Sequence, residues 1–153
     1  MKRTIEQLNE MSFDLPKTWQ VTDEVYSLPN GQGMTNIENY VSSQGEVISL
    51  FVVQRDPNDF FTYYDRLIAK YPTLTQKYQL AGKFQLKVGE FVLPTYIIKG
   101  MQDKLFTTQI FVNCGDCLAC FMFGLSSFDG NIKNTIKSEH ILQEVIKILR
   151  SVE

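Results

Sequence analysis

The sequence is poor in the residues on which most catalytic sites depend. Its 153 residues include one histidine and one tryptophan, and the histidine, His140, falls on the polar face of a predicted C-terminal helix. A general base needs a nucleophile or an acid beside it, and the sequence supplies no partner for His140. The aspartates are scattered over turns and helix caps, where Asp serves the backbone. We therefore expect no enzyme activity and no cofactor.

Basic charge and long apolar runs are also scarce. The formal net charge is -2 and no Lys/Arg cluster occurs, which argues against nucleic acid as a partner because phosphate binding needs a basic surface. Apolar runs such as Ile48–Val53 are far shorter than the roughly 20 residues that span a bilayer. The segment Gly31-Gln32-Gly33 lacks the third glycine and the strand-to-helix setting of a dinucleotide-binding loop.

The N-terminal segment MKRTIEQLNEMSF begins with basic residues but lacks the apolar stretch of a secretory signal. If the chain starts at its native first residue, we expect a cytoplasmic protein, where reduced thiols are the normal state. The length and the 44% hydrophobic content suit one domain over residues 1–153, whose core needs neither a disulfide nor a metal.

Two long apolar runs form the centre of the predicted fold. Leu105–Val112 and Cys117–Ser126 are rich in β-branched and aromatic residues, and the turn Asn113–Asp116 between them contains residue types that tolerate positive φ. We expect this hairpin to lie in the middle of an antiparallel sheet.

Two helices are predicted around this sheet. Asp56 is an N-cap before Pro57, an apolar stripe follows, and Pro72 ends the helix. The second helix covers Glu139–Ser151. Further strands are predicted over Met11–Leu15, Glu24–Leu28, Met34–Val41, Val47–Gln54, Lys83–Val88, Phe91–Leu93 and Pro94–Lys99, with a turn at Pro29–Gly33, a connector at Thr73–Gly82 and a polar loop at Phe128–Lys137. The predicted fold class is α+β, an antiparallel sheet of about six strands with helices packed on it.

The three cysteines form the run Cys114-x-x-Cys117-x-x-Cys120, which suggests half of a thiolate metal site or a redox pair. Zinc prefers four ligands, and residues three apart on one strand point to opposite faces. We therefore interpret Cys117 and Cys120 as buried structural residues and Cys114 as an exposed turn thiol. A thiol-dependent metal or redox protein remains the alternative.

Several side chains are candidates for contact with a partner. Tyr63 falls off the apolar stripe of its helix, and with Tyr40, Tyr78 and Tyr96 it could serve as an exposed aromatic anchor. A loop as long as Phe128–Lys137 is functional or mobile in a compact domain, so Phe128, Asp129 and Asn131 are further candidates. Trp19 is expected to close one end of the core, with its N–H reaching a carbonyl.

The opening Phe13-x-Leu15-Pro16-x-x-Trp19, the order of elements and the closing Ile148-Leu149-Arg150-Ser151 resemble the PsbP-like superfamily, in particular its bacterial DcrB-like branch. The resemblance covers nearly the whole chain. It implies an α/β/α sandwich of about six strands without enzyme activity or catalytic residues. Its members act as adaptors or assembly factors, among them a Ran-binding import factor, photosystem accessory proteins and chaperones of secreted effectors. The cysteine run departs from the family's pattern.

These observations predict a non-enzymatic protein-binding domain, a bacterial cytoplasmic adaptor, chaperone or immunity-type partner. Its contact surface is expected on an exposed sheet face and on the Phe128–Lys137 loop. A small apolar-ligand carrier, with a pocket between sheet and helix, is a second alternative. An open sheet also leaves edge strands through which a homodimer could form.

Overall fold

The computed structural model describes residues 1–23, 33–74, 78–100 and 105–153, with the backbone alone for 70–74 and 78. The strands are β1 (Lys2–Ile5), β2 (Met11–Asp14), β3 (Trp19–Thr22), β4 (Met34–Ser42), β5 (Val47–Val53), β6 (Tyr78–Val88), β7 (Phe91–Gly100), β8 (Phe106–Asn113) and β9 (Leu118–Leu125). The helices are α1 (Pro57–Leu74), α2 (Ile132–Ser138) and α3 (His140–Arg150), with a 3₁₀ turn at Glu6–Leu8.

The main sheet is antiparallel and has seven strands in the order β3-β4-β5-β9-β8-β7-β6, while β1 and β2 form a separate hairpin. The predicted central hairpin is β8 and β9, with Ile110 opposite Phe121, and it lies in the middle of the sheet as expected. The α+β class is confirmed. The count exceeds six, and β3 is not predicted because four residues are too few for their alternation to indicate a strand.

Helices cover both faces of this sheet. In β5, Ile48, Leu50 and Val52 point to one face and belong to a core with α3 and the β1–β2 hairpin, which we term the α3 face. Phe51 and Val53 point the other way, towards α1, and this is the α1 face. The continuous apolar run of β5 follows from burial on both sides. The prediction of an exposed sheet face is therefore wrong for the central strands.

The start of α1 is confirmed. The Asp56 carboxylate accepts a hydrogen bond from the backbone N–H of Asn58 at 2.8 Å, and Phe60, Tyr64 and Ile68 are buried against the α1 face. The helix continues to Leu74, so Pro72 lies in its last turn rather than after its end. A proline removes one helical hydrogen bond and crowds the carbonyl four residues before it, so it is tolerated better in a last turn than in a helix interior.

Two predicted irregular segments contain regular structure. β6 begins at Tyr78, inside the predicted connector, and α2 occupies most of the predicted loop Phe128–Lys137. α2 depends on a local cap, since the Asn131 side chain accepts hydrogen bonds from the N–H groups of Lys133 and Asn134 at 3.0 and 3.4 Å. The sequence around α2 has this cap but no apolar stripe long enough to predict a helix, so a loop is predicted for the segment.

Two further expectations concern the N-terminal third. Trp19 is buried as predicted, but it lies in β3 and its indole N–H has no hydrogen-bond partner among the described residues. The expectation that it reaches a carbonyl is therefore wrong. The predicted strand Glu24–Leu28, and the turn Pro29–Gly33 up to residue 32, lie outside the described residues.

Candidate functional site

Phe128 is a half-buried aromatic ring at the edge of the main sheet. Its centroid lies 6.3 Å from that of Phe84 on β6, with the rings nearly parallel, and 6.3 Å from that of Phe106 on β8. The ring belongs to the margin of the α3-face core. Phe128 is thus held on the sheet by two aromatic contacts and presents its remaining surface outward.

Gly82 makes this position of the ring possible. A Cβ at residue 82 would lie 3.0 Å from Phe128 Cε2 and 3.2 Å from Cζ, so the ring would have to shift by a few tenths of an ångström. Glycine in a strand often marks such a close approach. The sequence places Gly82 at the end of the predicted connector and does not show the ring that contacts it, because the two residues are 46 positions apart.

Asp129 and Asn131 build the turn that leads from Phe128 into α2. The Asp129 carboxylate accepts hydrogen bonds from the Asn131 backbone N–H at 2.9 Å and the Asn134 side-chain amide at 3.2 Å. These bonds, the backbone bond first, hold the pKa of Asp129 below its usual value. Both side chains therefore hold the local backbone, and they also line the surface next to Phe128.

The surface around Phe128 is concave on both sides of the ring. A concavity of about 290 Å³ lies towards Ser126, Ser127 and Thr135. A second one, of about 510 Å³, lies between β6 and α2. We term residues 81–84, 106 and 126–138 together the Phe128 surface. This surface presents aromatic and aliphatic side chains together with hydroxyl and amide groups, and the exposed Lys83 and Lys133 lie at its rim. Such a mixture suits non-covalent contact with a partner.

The structure brings Phe128, Asp129 and Asn131 together but places Tyr63 elsewhere. Tyr63 is on α1, on the opposite face of the sheet, with the Arg55 guanidinium carbon 3.8 Å from its ring centroid. The other tyrosine candidates are mostly wrong: Tyr40 and Tyr96 are buried in the two cores, because alternation in a strand does not tell which face is covered. The side chain of Tyr78 lies outside the described residues.

The three cysteines do not form one cluster. Cys117 lies in the α3-face core and Cys120 in the α1-face core, which confirms that they point to opposite faces. Cys114 is half-buried rather than exposed, with its Sγ 3.7 Å from Met11 Sδ. The turn folds inward because the Asn9 side chain donates to the Cys114 carbonyl at 2.5 Å and to Asp116 at 2.7 Å.

Burial also lowers the reactivity of the thiols. It raises the pKa of Cys114 to about 11, with the nearby Cys117 and Asp116 as lesser causes, and it raises the pKa values of Cys117 and Cys120. The thiolate is the nucleophile and the metal ligand. Within the described ranges, no three His, Cys, Asp or Glu side chains are grouped to hold a metal ion. The geometry does not favour thiol chemistry.

This burial predicts slow alkylation of Cys114. At about pH 8 a thiol with a pKa near 11 has roughly a hundredfold less thiolate than one with a pKa of about 9. Its thiolate is more nucleophilic, and a Brønsted slope of about 0.5 over about two pKa units restores a factor of roughly ten. We expect iodoacetamide to modify Cys114 about tenfold more slowly than glutathione, with a rate that rises towards pH 11. Peptide mapping by mass spectrometry measures this rate, and a rate equal to that of glutathione would contradict the burial.

His140 is exposed and lies between two carboxylates. Its Nδ1 is 3.0 Å from Glu46 Oε1, and its Nε2 is 3.7 Å from Glu144 Oε1. The position on the polar side of α3 is as predicted. The contacts connect α3 with the β4–β5 turn.

Aromatic rings fill the middle of the space between the sheet and α1. Phe60 stacks on Tyr64 with centroids 5.1 Å apart, and both rings contact Phe111 at 5.1 and 5.4 Å. An apolar-ligand carrier would need an open pocket at this place. These three rings leave none between them, but a concavity of about 350 Å³ lies beside them, lined by Phe61 and Asp65 of α1 and by residues of β6 and β7.

The chain matches no protein-family model, and no curated protein matches it. Its structure is similar to the solution structure of cyanobacterial PsbP (CyanoP) from Synechocystis sp. PCC 6803, with a TM-score of 0.59 and 13% sequence identity, covering 100% of this chain and 91% of that one. The fold is therefore PsbP-like. Across the described segments, no helix combines the length and the apolar character needed to cross a membrane.

Proposed function

We propose that the chain is a non-enzymatic protein-binding domain, an intracellular adaptor, chaperone or immunity-type partner, that contacts its partner through the Phe128 surface. The observation that carries this proposal is one aromatic ring, fixed on the sheet edge, with a concavity on each side. The ring offers an apolar contact that is ordered before binding. Little conformational entropy then remains to be lost on association.

The composition of the surface supports this use. Protein interfaces place aromatic and aliphatic groups at the centre and polar groups at the rim. Phe128, Phe84 and Ile132 lie at the centre, while Asp129, Asn131 and Lys133 surround them. The two concavities are shallow and adjoin, which suits a protein segment that crosses both rather than an enclosed small molecule.

The PsbP-like fold agrees with an adaptor of the DcrB-like branch, to which the Phe13, Leu15, Pro16 and Trp19 pattern is similar. In this proposal the protein acts in the cytoplasm of a bacterium. The buried and half-buried thiols give a thiol-dependent function no specific observation in its favour. The concavity beside α1 contains the Lys83–Asp65 ion pair, which suits an apolar ligand poorly. The Phe128 surface is therefore the proposed contact site.

Site-specific photo-crosslinking in cells of the source organism tests the proposal. A benzophenone amino acid replaces Lys133, which lines the larger concavity, and in a matched control it replaces Lys17, an exposed residue between β2 and β3. β3 is the opposite edge of the main sheet from β6. We expect a discrete adduct of one protein from position 133 and none from position 17. Equal adducts from both positions, or none from either, would contradict the proposal.

A further inference from the structure

The long strand β6 forms the edge of the main sheet beside the Phe128 surface. Among the described residues β6 pairs with β7 alone, so one side of its backbone faces away from the sheet. The register shifts between Leu80 and Gly82, and this bulge interrupts the start of the edge. Bulges hinder further pairing, whereas a regular edge is a template for another strand. The regular part is residues 83–88.

The two faces of this regular part differ in chemistry. Phe84, Leu86 and Val88 point to the α3 face, and Phe84 lies in the larger concavity with Ile132 and Phe128. Lys83, Gln85 and Lys87 alternate with them and are exposed. A strand added along this edge would lay every second side chain over the concavity. The side chains between them would stand near Lys83 and Lys87.

The charges of the nearby lysines favour one kind of added strand. Lys83 already contacts Asp65, with Nζ 2.7 Å from Oδ2, but Lys87 and Lys133 have no carboxylate partner among the described residues. Opposite charges on neighbouring strands stabilise a pair, and like charges directly opposite destabilise it. An acidic strand is therefore favoured. In a second copy of this chain, antiparallel pairing centred on Gln85 would place Lys83 opposite Lys87, which disfavours a dimer through β6 in that register.

If the chain binds a protein through the Phe128 surface as proposed above, we infer that the partner contributes an extended acidic segment, with alternating apolar and carboxylate side chains, that adds as a strand to residues 83–88 of β6. The apolar side chains cover Phe84, Phe128 and Ile132. The carboxylates, on the opposite side of the added strand, face Lys83 and Lys87. Backbone hydrogen bonds supply affinity in this mode, and the alternate side chains supply specificity.

A peptide titration followed by amide chemical shifts tests this inference. The probe is a capped peptide of about nine residues in which Val and Glu alternate, long enough to span the regular edge. The isotope-labelled full chain is titrated with it, and the variants Lys87→Glu and Lys17→Glu are titrated in parallel. A second peptide carries Lys in place of each Glu. Thermal unfolding of each variant verifies that it is folded.

We expect saturable shifts confined to β6 and α2, at least about tenfold weaker binding to Lys87→Glu, and unchanged binding to Lys17→Glu, in line with the cost of reversing a facing charge pair. The Lys peptide should not bind. No binding of the Glu peptide, shifts centred on β3, or a dimer through β6 in sedimentation would each overturn strand addition. If position 133 still crosslinks to a partner in that case, the proposed function survives and only the binding mode fails.

Discussion

Replacing Phe121 with alanine is expected to destabilise the protein by about 3–5 kcal/mol, the usual cost of removing a buried phenylalanine. Phe121 is fully buried in β9, at the middle of the sheet. Its ring meets Phe13 of the β1–β2 hairpin edge-to-face, with centroids 5.6 Å apart. The loss therefore affects both the central strands and the attachment of the N-terminal hairpin. For a domain of this length the melting temperature should fall by roughly 10 °C.

Phe91→Ala is the matched control for this prediction. Phe91 begins β7, and 40% of its surface is exposed. The same chemical change should cost less there, about 1–2 kcal/mol, because part of the ring is already in contact with water and no closed cavity is left behind. Urea unfolding of both variants gives the comparison. Similar losses in the two would mean that β9 is not at the centre of the core.

The second large effect concerns a buried polar pair. The Tyr64 hydroxyl donates to the side-chain oxygen of Gln109 between α1 and β8, and the Gln109 amide nitrogen has no hydrogen-bond partner among the described residues. Tyr64→Phe leaves the oxygen unpaired as well. We expect a loss of about 1–3 kcal/mol, since a buried polar group without a partner bears its full desolvation cost.

A second change in the same pair should reverse this loss. Gln109→Leu removes the buried amide, so the double variant Tyr64→Phe/Gln109→Leu should recover most of the stability, because replacing both partners with apolar groups is nearly neutral. Urea unfolding of the two single variants and the double variant completes the cycle. Additive losses would show that the two side chains are not coupled and would contradict the pairing.

Long periodic segments of this fold could be predicted from the sequence. The β8–β9 hairpin is visible because its apolar runs are buried on both faces. α1 and α3 are visible because each has an apolar stripe, and α1 also begins with the Asp56 cap. These elements depend on local patterns that persist over many residues. Tertiary contacts reinforce them rather than override them.

The Phe128 surface could be predicted only in part. Phe128, Asp129 and Asn131 lie next to one another because they are close in sequence. The concavities, in contrast, depend on Gly82 and β6, which are far away in the chain. The same limit explains why two of the predicted tyrosine contact residues are buried. Tyr40 and Tyr96 are buried because α3, α1 and the N-terminal hairpin cover the faces they occupy, and a strand pattern does not specify what lies above it.

The Phe128 surface is the proposed site at which this protein binds its partner. The most direct measurement is calorimetric titration of the protein captured by crosslinking at position 133, in purified form, with the wild type, Ile132→Asp and Lys17→Glu. Ile132 lines the larger concavity, and a buried charge at an interface is costly. At least about tenfold weaker binding of Ile132→Asp, with Lys17→Glu unchanged, is the predicted result. Equal affinity of all three for the captured protein would contradict it.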